Sequence, residues 1–324
     1  MDLKLEEVSL ERVDFDDRRF DLSGGRPPRE LVASVRRVGL ASAPVLSAQD
    51  ARGRHTIVIG WRRLLACREA GLREAKCLVA AAEAQPPDLL RMAIEDLRAS
   101  GGMGKLAQGR ALRAWEGIRP EGQGESEFLS LLGLPPKRGL LDSIRRWARI
   151  APDVEAACDA GLVAESAALA LAAHPAEARE AFVRLFADLR FGVNLQKEAL
   201  EMISETARRE GAAPAEAIER VRGEALAEAG SAEDLPRLAE AFRRALRRRR
   251  FPRVSAAEER FGAIVRDLRL APGCSIEAPP FFEGREYRFV CRFGSVEELA
   301  RALRQAADKI GGAEALRDFI HRGE

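Results

Sequence analysis

The chain has 324 residues, 46% of them hydrophobic and 32% charged, with a formal net charge of +2. That length allows two or three domains with cores of their own, and the abundance of Ala, Leu, Arg and Glu points to a mainly helical protein. No apolar run approaches the ~20 residues that span a bilayer. The acidic start Met1–Glu7 lacks the basic-then-apolar order of a secretion signal, so a cytoplasmic protein is expected. The five cysteines form no C-x-x-C pair and the three histidines are far apart in sequence, which argues against structural zinc and for reduced, buried thiols.

Leu3–Val8 alternates apolar and charged residues as a half-buried strand does. Asp14–Gly25 is charged and turn-rich, with Arg18 and Arg19 in its middle. Pro27 and Pro28 open a helix through Val38 that Gly39 ends. Ala43–Leu46 reads as a short strand entered through Pro44, and Ala48–Arg54 as a polar turn. Thr56–Gly71 is the most informative stretch. A β-branched run (Ile57, Val58, Ile59) stops at Gly60, and a helix beginning Trp61-Arg62-Arg63 runs to Gly71. A helix start leaves N–H groups unpaired and carries partial positive charge, so two arginines there would complete an anion site. The plainer reading is a solvated first turn. Lys76–Ala80 is another short strand.

The order of these segments resembles the N-terminal domain of the ParB partition-protein family. The matching text is "Glu30-Leu31-Val32-Ala33-Ser34-Val35", "Gly39-Leu40…Pro44-Val45", "Gly60-Trp61-Arg62-Arg63-Leu64-Leu65-Ala66" and "Ala70-Gly71-Leu72". It covers about the first 115 residues and continues more faintly to about residue 210. The resemblance implies a ParB/sulfiredoxin-like α+β fold that binds CTP with magnesium and closes a dimer around DNA. Position by position, it implies that Gly39 and Pro44 line the base side and that Gly60, Arg62 and Arg63 hold the triphosphate. Arg18, Arg19, Trp61 and Arg98 complete the expected nucleotide set. The family's glutamate before Arg-Arg is Trp61 here. Its E-N-x-Q-R box falls at Glu95-Asp96-Leu97-Arg98-Ala99, which leaves Glu95 and Asp96 as candidate magnesium ligands and argues against more than weak CTP hydrolysis. Sulfiredoxin's cysteine position is also Trp61, so no thiol chemistry is assigned. Ser100–Leu106 imitates a phosphate loop but lacks its required glycine and Ser/Thr, and reads as a hinge loop.

From Leu106 the pattern is helical: Leu106–Ile118, a polar turn Arg119–Gly124, Ser126–Leu132, and Lys137–Ile150 after Pro135-Pro136. Helix, glycine turn, helix is the spacing of a helix-turn-helix. Leu140, Leu141, Ile144, Trp147 and Ala148 form the expected core stripe of the second helix. Lys137, Arg138, Arg145, Arg146 and Arg149 make it strongly basic, as a DNA-contacting helix would be; a solvated arginine face would look the same. Leu169–Arg209 is helical with breaks near His174-Pro175 and Gly192, and His174 reads as structural.

Residues 211–250 form Ala/Glu/Arg-rich helix ending in seven arginines between Arg243 and Arg253. Such a run suggests either a polyanion partner or a solvated linker. A helix over Ala256–Leu268, strands at Ser275–Ala278 and Arg285–Phe293, a capped helix from Ser295 to about Ile310 and a short helix to His321 form a small α-β-β-α module. A unit that small is expected to dimerise.

The expected layout is a ParB-like domain over 1–105, an all-α helix-turn-helix domain over 106–210, a helical linker over 211–252 and a dimerisation module over 253–324. The expected partners are double-stranded DNA, a second copy of the chain and, by resemblance alone, a partition-type ATPase. The alternative is a helical DNA-binding regulator or adaptor whose front domain no longer binds nucleotide.

Overall fold

The computed structural model describes residues 2–119, 124–284 and 286–322. It is mainly helical, with a small mixed sheet near the N-terminus. The chain divides into two compact units, one ending at Leu200 and the other starting at Glu201.

The first unit is built on five strands: β1 (Leu3–Ser9), β2 (Val13–Asp14), β3 (Val45–Gln49), β4 (His55–Ile59) and β5 (Glu74–Ala80). Their spatial order is β1-β5-β3-β4-β2. β1 and β5 are antiparallel, β5 and β3 parallel, β3 and β4 antiparallel, and β4 and β2 parallel. The β3–β4 turn is set by the Asp50 carboxylate, which accepts from the N–H groups of Arg52 and Arg54 at 2.8 and 2.9 Å.

Alternation along the strands feeds two cores. Ile57, Cys77 and Val79 join Val32, Val35 and Leu64, from α1 (Arg29–Val38) and α2 (Trp61–Glu69), on one face. Val58 and Ala80 point to the other face, which is covered by α3 (Pro86–Ala99) and α4 (Lys105–Ile118). That second core continues through Trp115, Phe128, Leu129, Leu141 and Ile144 into α5 (Glu125–Leu131) and α6 (Arg138–Ala148). One apolar cluster thus runs through residue 105, where the sequence reading places a boundary. α4 and α6 cross closely: a Cβ on Gly109 would lie 2.6 Å from the Trp147 backbone, so only glycine fits. Residues 120–123 of the expected polar turn lie outside the described residues. α7 (Pro152–Asp159), α8 (Glu165–Ala172), α9 (Ala176–Leu189) and α10 (Val193–Glu210) follow. The His174 ring packs 5.2 Å from that of Phe182, and burial pulls its pKa down, as a structural histidine requires.

In the second unit α11 (Pro214–Ala229) packs on α12 (Leu235–Arg250) through small and aliphatic side chains, including Ile218, Val221, Ala241 and Ala245. α13 (Pro252–Asp267), a two-stranded ladder of β6 (Cys274–Glu277) and β7 (Arg288–Cys291), α14 (Val296–Gly311) and α15 (Glu314–Arg322) complete it. Arg285, the expected start of the second strand, lies outside the described residues.

The arginine run needs a correction. In sequence the run suggests a polyanion partner or a solvated linker, yet glutamates distant in sequence converge on it. Arg244 and Arg248 share Glu228, Arg247 meets Glu258, Arg249 is held by Glu210 and Glu224, and Arg250 by Glu201 and Glu205. Arg209 donates to the terminal carbonyls of Arg249 and Arg250, so the end of α12 is capped as well. Exposed pairs like these add little stability, but they remove the unpaired charge that a polyanion partner would answer.

Candidate functional site

A cleft of about 340 Å3 lies where the first turn of α2 faces the start of α4. Its walls are the Leu22–Arg26 loop, Arg62, the glycines at 102 and 104, and Arg110, Asp159 and Glu165. Local sequence explains each wall. Gly60 sits at φ 94, a left-handed conformation that ends β4 and starts α2, and a Cβ there would press on Pro44 at 3.0 Å. Gly24 and Gly25 take φ 57 and 78, which lets the loop run with its backbone against the cleft.

Charge in the cleft divides cleanly. The Arg110 guanidinium, 8% exposed, is spent on Glu155 at 2.6 Å and Asp159 at 2.7 Å. Arg62 and Arg26 are exposed, and among the described residues neither makes a hydrogen bond or ion pair. The α4 N-terminus is occupied: the Glu165 carboxylate accepts from the Leu106 N–H at 2.6 Å, and a Cβ on Gly104 would lie 2.9 Å from its other oxygen. Cys158 also lines the cleft, but burial and the nearby Asp159 and Glu165 charges push its thiol up to about 11, so it is no nucleophile.

No family model matches this chain, and no curated protein matches it. Solved structures do. One is the C-terminally truncated chromosome-partitioning protein ParB from Caulobacter crescentus complexed with CTP-γ-S, with a TM-score of 0.25 and 19% identity, covering 57% of this chain and 99% of that one. Another is the same truncated protein complexed to the centromeric parS site, with a TM-score of 0.26 and 17% identity, covering 60% and 97%. Superposition that loose assigns no residue a role.

The expected nucleotide residues are only partly brought together. Arg62 lines the cleft; Arg63 turns the other way and donates to the Ser42 hydroxyl at 2.5 Å and the Ser42 carbonyl at 3.1 Å, beside Pro44. Arg18 pairs with the buried Asp21 at 2.5 Å and lies 5.6 Å over the Trp61 ring. Trp61 itself is 4% exposed and belongs to the core, its indole N–H without a partner. Arg19 is held by Asp17, whose carboxyl burial would raise but whose bonds to Arg19 and Thr56 keep low. Arg98 pairs with Glu95 at 3.0 Å and packs on Gly133. Gly39 closes α1 at φ 74.

Glu95 and Asp96 are exposed neighbours on α3, so their side chains leave the helix about 100° apart. Among the described residues no group of three or more His, Cys, Asp or Glu could hold a metal ion. The carboxylates present do not make a magnesium site by themselves. Sequence reasoning passed over Arg26, Gly24, Gly25 and Glu165. The Ser23-Gly24-Gly25-Arg26 string carried a signal, since paired glycines before an arginine suit anion contact. Glu165 carried none, because its partner lies 59 positions away.

A second basic surface is the outer face of α6. Leu141, Ile144 and Trp147 are buried, while Lys137, Arg138, Arg146 and Arg149 are exposed and unpaired among the described residues. Arg145 differs: it is half-buried and bound to Glu125 and to Asp142 at 3.2 Å. Arg113 donates to the Ala148 carbonyl at 2.9 Å and closes the end of α6.

Proposed function

We propose that this chain is a ParB-like DNA-binding protein of chromosome or plasmid partition, or of related nucleoid organisation. Its first unit takes a nucleoside triphosphate, CTP, in the cleft at Arg62, and its α6 grips double-stranded DNA. The observation that carries the reading is the unpaired Arg62, joined by Arg26, facing a glycine-walled cleft at the start of α4, the helix on which α6 packs. Guanidinium groups without carboxylate partners suit phosphate oxygens. Because α4 also forms the floor of the basic helix, an anion at its start is one packed helix away from the DNA-contacting residues. Hydrolysis is outside the proposal, since Glu95 is paired with Arg98, and the cleft carboxylates Asp159 and Glu165 are engaged by Arg110 and the Leu106 N–H.

Isothermal titration with each nucleoside triphosphate tests this reading: CTP binding is expected, and no heat with any of the four overturns it. Glu165 sharpens the test. Removing its carboxylate with Glu165→Ala frees the α4 N-terminus and should tighten triphosphate binding several-fold, at a cost in stability of about 1 kcal/mol from the lost cap. Paired titration and melting curves of the two proteins check both effects.

On the DNA side, Lys137→Ala, Arg138→Ala, Arg146→Ala and Arg149→Ala should each lower the salt slope of DNA affinity by about 0.9 unit. Arg145→Ala should lower it less, because Glu125 and Asp142 already balance its charge. Slopes unchanged from the parent protein for all five variants would remove α6 from the interface.

The second unit supplies the dimer in this reading. Phe289, Phe293, Val296 and Leu303 are exposed apolar residues at 37, 53, 73 and 48%, and both strands of the β6–β7 ladder have open edges. Sedimentation should give a dimer whose mass falls to that of the monomer with Val296→Glu.

One observation favours a second reading. Glu165 sits on the α4 N-terminus and Arg63 is tied to Ser42, as in a front domain that has given up nucleotide for an internal carboxylate. A regulator or adaptor of that kind would bind DNA with the same salt slope whether or not CTP is present.

A further inference from the structure

The geometry points to Cys274 and Cys291 as a redox-modification site: a cross-strand dithiol that a hydroperoxide or a small disulfide converts into an intramolecular disulfide. Nothing in the partition reading requires it. β6 and β7 are antiparallel with Cys274 directly opposite Cys291. The Arg292 N–H donates to the Gly273 carbonyl at 2.9 Å, which makes 273 and 292 the hydrogen-bonded pair and leaves 274 and 291 as the non-hydrogen-bonded pair beside it. At such positions opposed Cα atoms approach to ~4.5 Å and the side chains are closest, within the span a disulfide bridges. Gly273 allows the approach: it takes φ 82, and a Cβ there would meet the Arg292 carbonyl oxygen at 3.0 Å.

The sulfurs already touch. The Cys274 and Cys291 sulfur atoms lie 2.7 Å apart, inside van der Waals contact, and both residues are half-exposed. The Cys291 sulfur beside it, with a smaller push from burial, raises the Cys274 thiol to about 11. The remaining cysteines behave differently. Cys67 and Cys77 are fully buried, and burial raises both thiols; Cys158 is held protonated inside the first unit.

With hydrogen peroxide the chemistry balances in two steps. The thiolate of one of the two cysteines attacks one peroxide oxygen, the O–O bond breaks, and a sulfenic acid forms with release of water once the leaving hydroxide takes a proton. The other cysteine's sulfur then attacks the sulfenic sulfur, the S–O bond breaks, and hydroxide leaves with that thiol's proton as a second water. Two thiols are oxidised and one peroxide is reduced. The bond joins strands whose cysteines are 17 positions apart and fixes the hairpin that carries exposed Phe289 and Phe293. Closing a loop of that length restricts the unfolded chain and stabilises the unit around it.

The test uses the full-length reduced protein, treated with hydrogen peroxide or with oxidised glutathione, then unfolded and alkylated with a maleimide. Two fewer alkylated thiols per chain are expected, with a Cys274–Cys291 crosslinked peptide whose mass is lower by two hydrogens. Phenylarsine oxide, which needs two adjacent thiols, should bind the reduced protein one to one and the oxidised protein not at all. Cys274→Ser should leave Cys291 as a mixed disulfide with glutathione, and should lose arsenical binding. Full alkylation of both cysteines under conditions that close a control C-x-x-C peptide overturns the inference, as does a crosslink that proves to join two chains. If the serine variant fails to fold, the peptide map of the unaltered protein decides alone.

Discussion

Arg62→Ala should weaken CTP binding by about 2–3 kcal/mol, roughly 30- to 150-fold, and leave the melting temperature where it was. The size follows from removing charge-assisted hydrogen bonds to phosphate. The unchanged stability follows from an exposed side chain that makes no hydrogen bond or ion pair among the described residues. Arg63→Ala should do much less, because its guanidinium is already committed to Ser42, and part of any loss would come from loosening the Ser42–Pro44 turn. Arg26→Ala should resemble Arg62→Ala in kind. The comparison is diagnostic. Equal losses for Arg62 and Arg63 would mean that Arg63 leaves Ser42 when ligand arrives, whereas no loss for Arg62 would remove the cleft from the function.

How far this was legible in the sequence depended on range. β-branched runs, proline starts and glycine stops place β4, α2, α5 and α6 within a few residues, because these signals are local. α7 is absent from the sequence reading because Pro152 falls just after Ile150, where proline can mark a helix stop as well as the first residue of the next helix. β2, two residues long, exists only through its parallel pairing with β4. α3 is also absent from the sequence reading, although Leu89, Leu90, Ala93 and Ile94 have helical core spacing.

The site shows the same limit. Gly60 and its two arginines are readable in order, but that Arg63 is tied to Ser42 while Arg62 stays unpaired among the described residues is decided by the fold. Glu165 reaches α4, and Glu201 through Glu228 reach the α12 arginines, only once the chain has folded. A charge run in sequence is therefore a statement about composition; whether it remains available is decided by carboxylates far along the chain.

Arg110→Ala should destabilise the first unit by about 3–5 kcal/mol, because it takes from the partly buried Glu155 and Asp159 their common cation. Arg113, which also binds Glu155 at 2.8 Å, is too exposed to replace it. The effect reaches the cleft, since Arg110 packs against Gly24: a Cβ there would lie 2.0 Å from its Nη1, and the Gly24 N–H is held by Asp21 at 3.0 Å. The Gly24–Arg26 loop rests on this clasp, so the variant should lose triphosphate affinity as well as stability, unlike Arg62→Ala. Acid titration separates the electrostatic part. Burial alone would raise the Glu155 carboxyl, but the hydrogen bonds and charges of Arg110 and Arg113 outweigh it and hold it below the usual carboxylate range. A carboxylate lowered in the folded state contributes its stability fully above its unfolded pKa of ~4.3 and loses it as pH falls through the lowered value. Denaturant melts at a series of pH values should therefore show the gap between the parent protein and Arg110→Ala shrinking as pH drops below 5. A gap that stayed constant would mean that Arg110 acts through packing rather than charge.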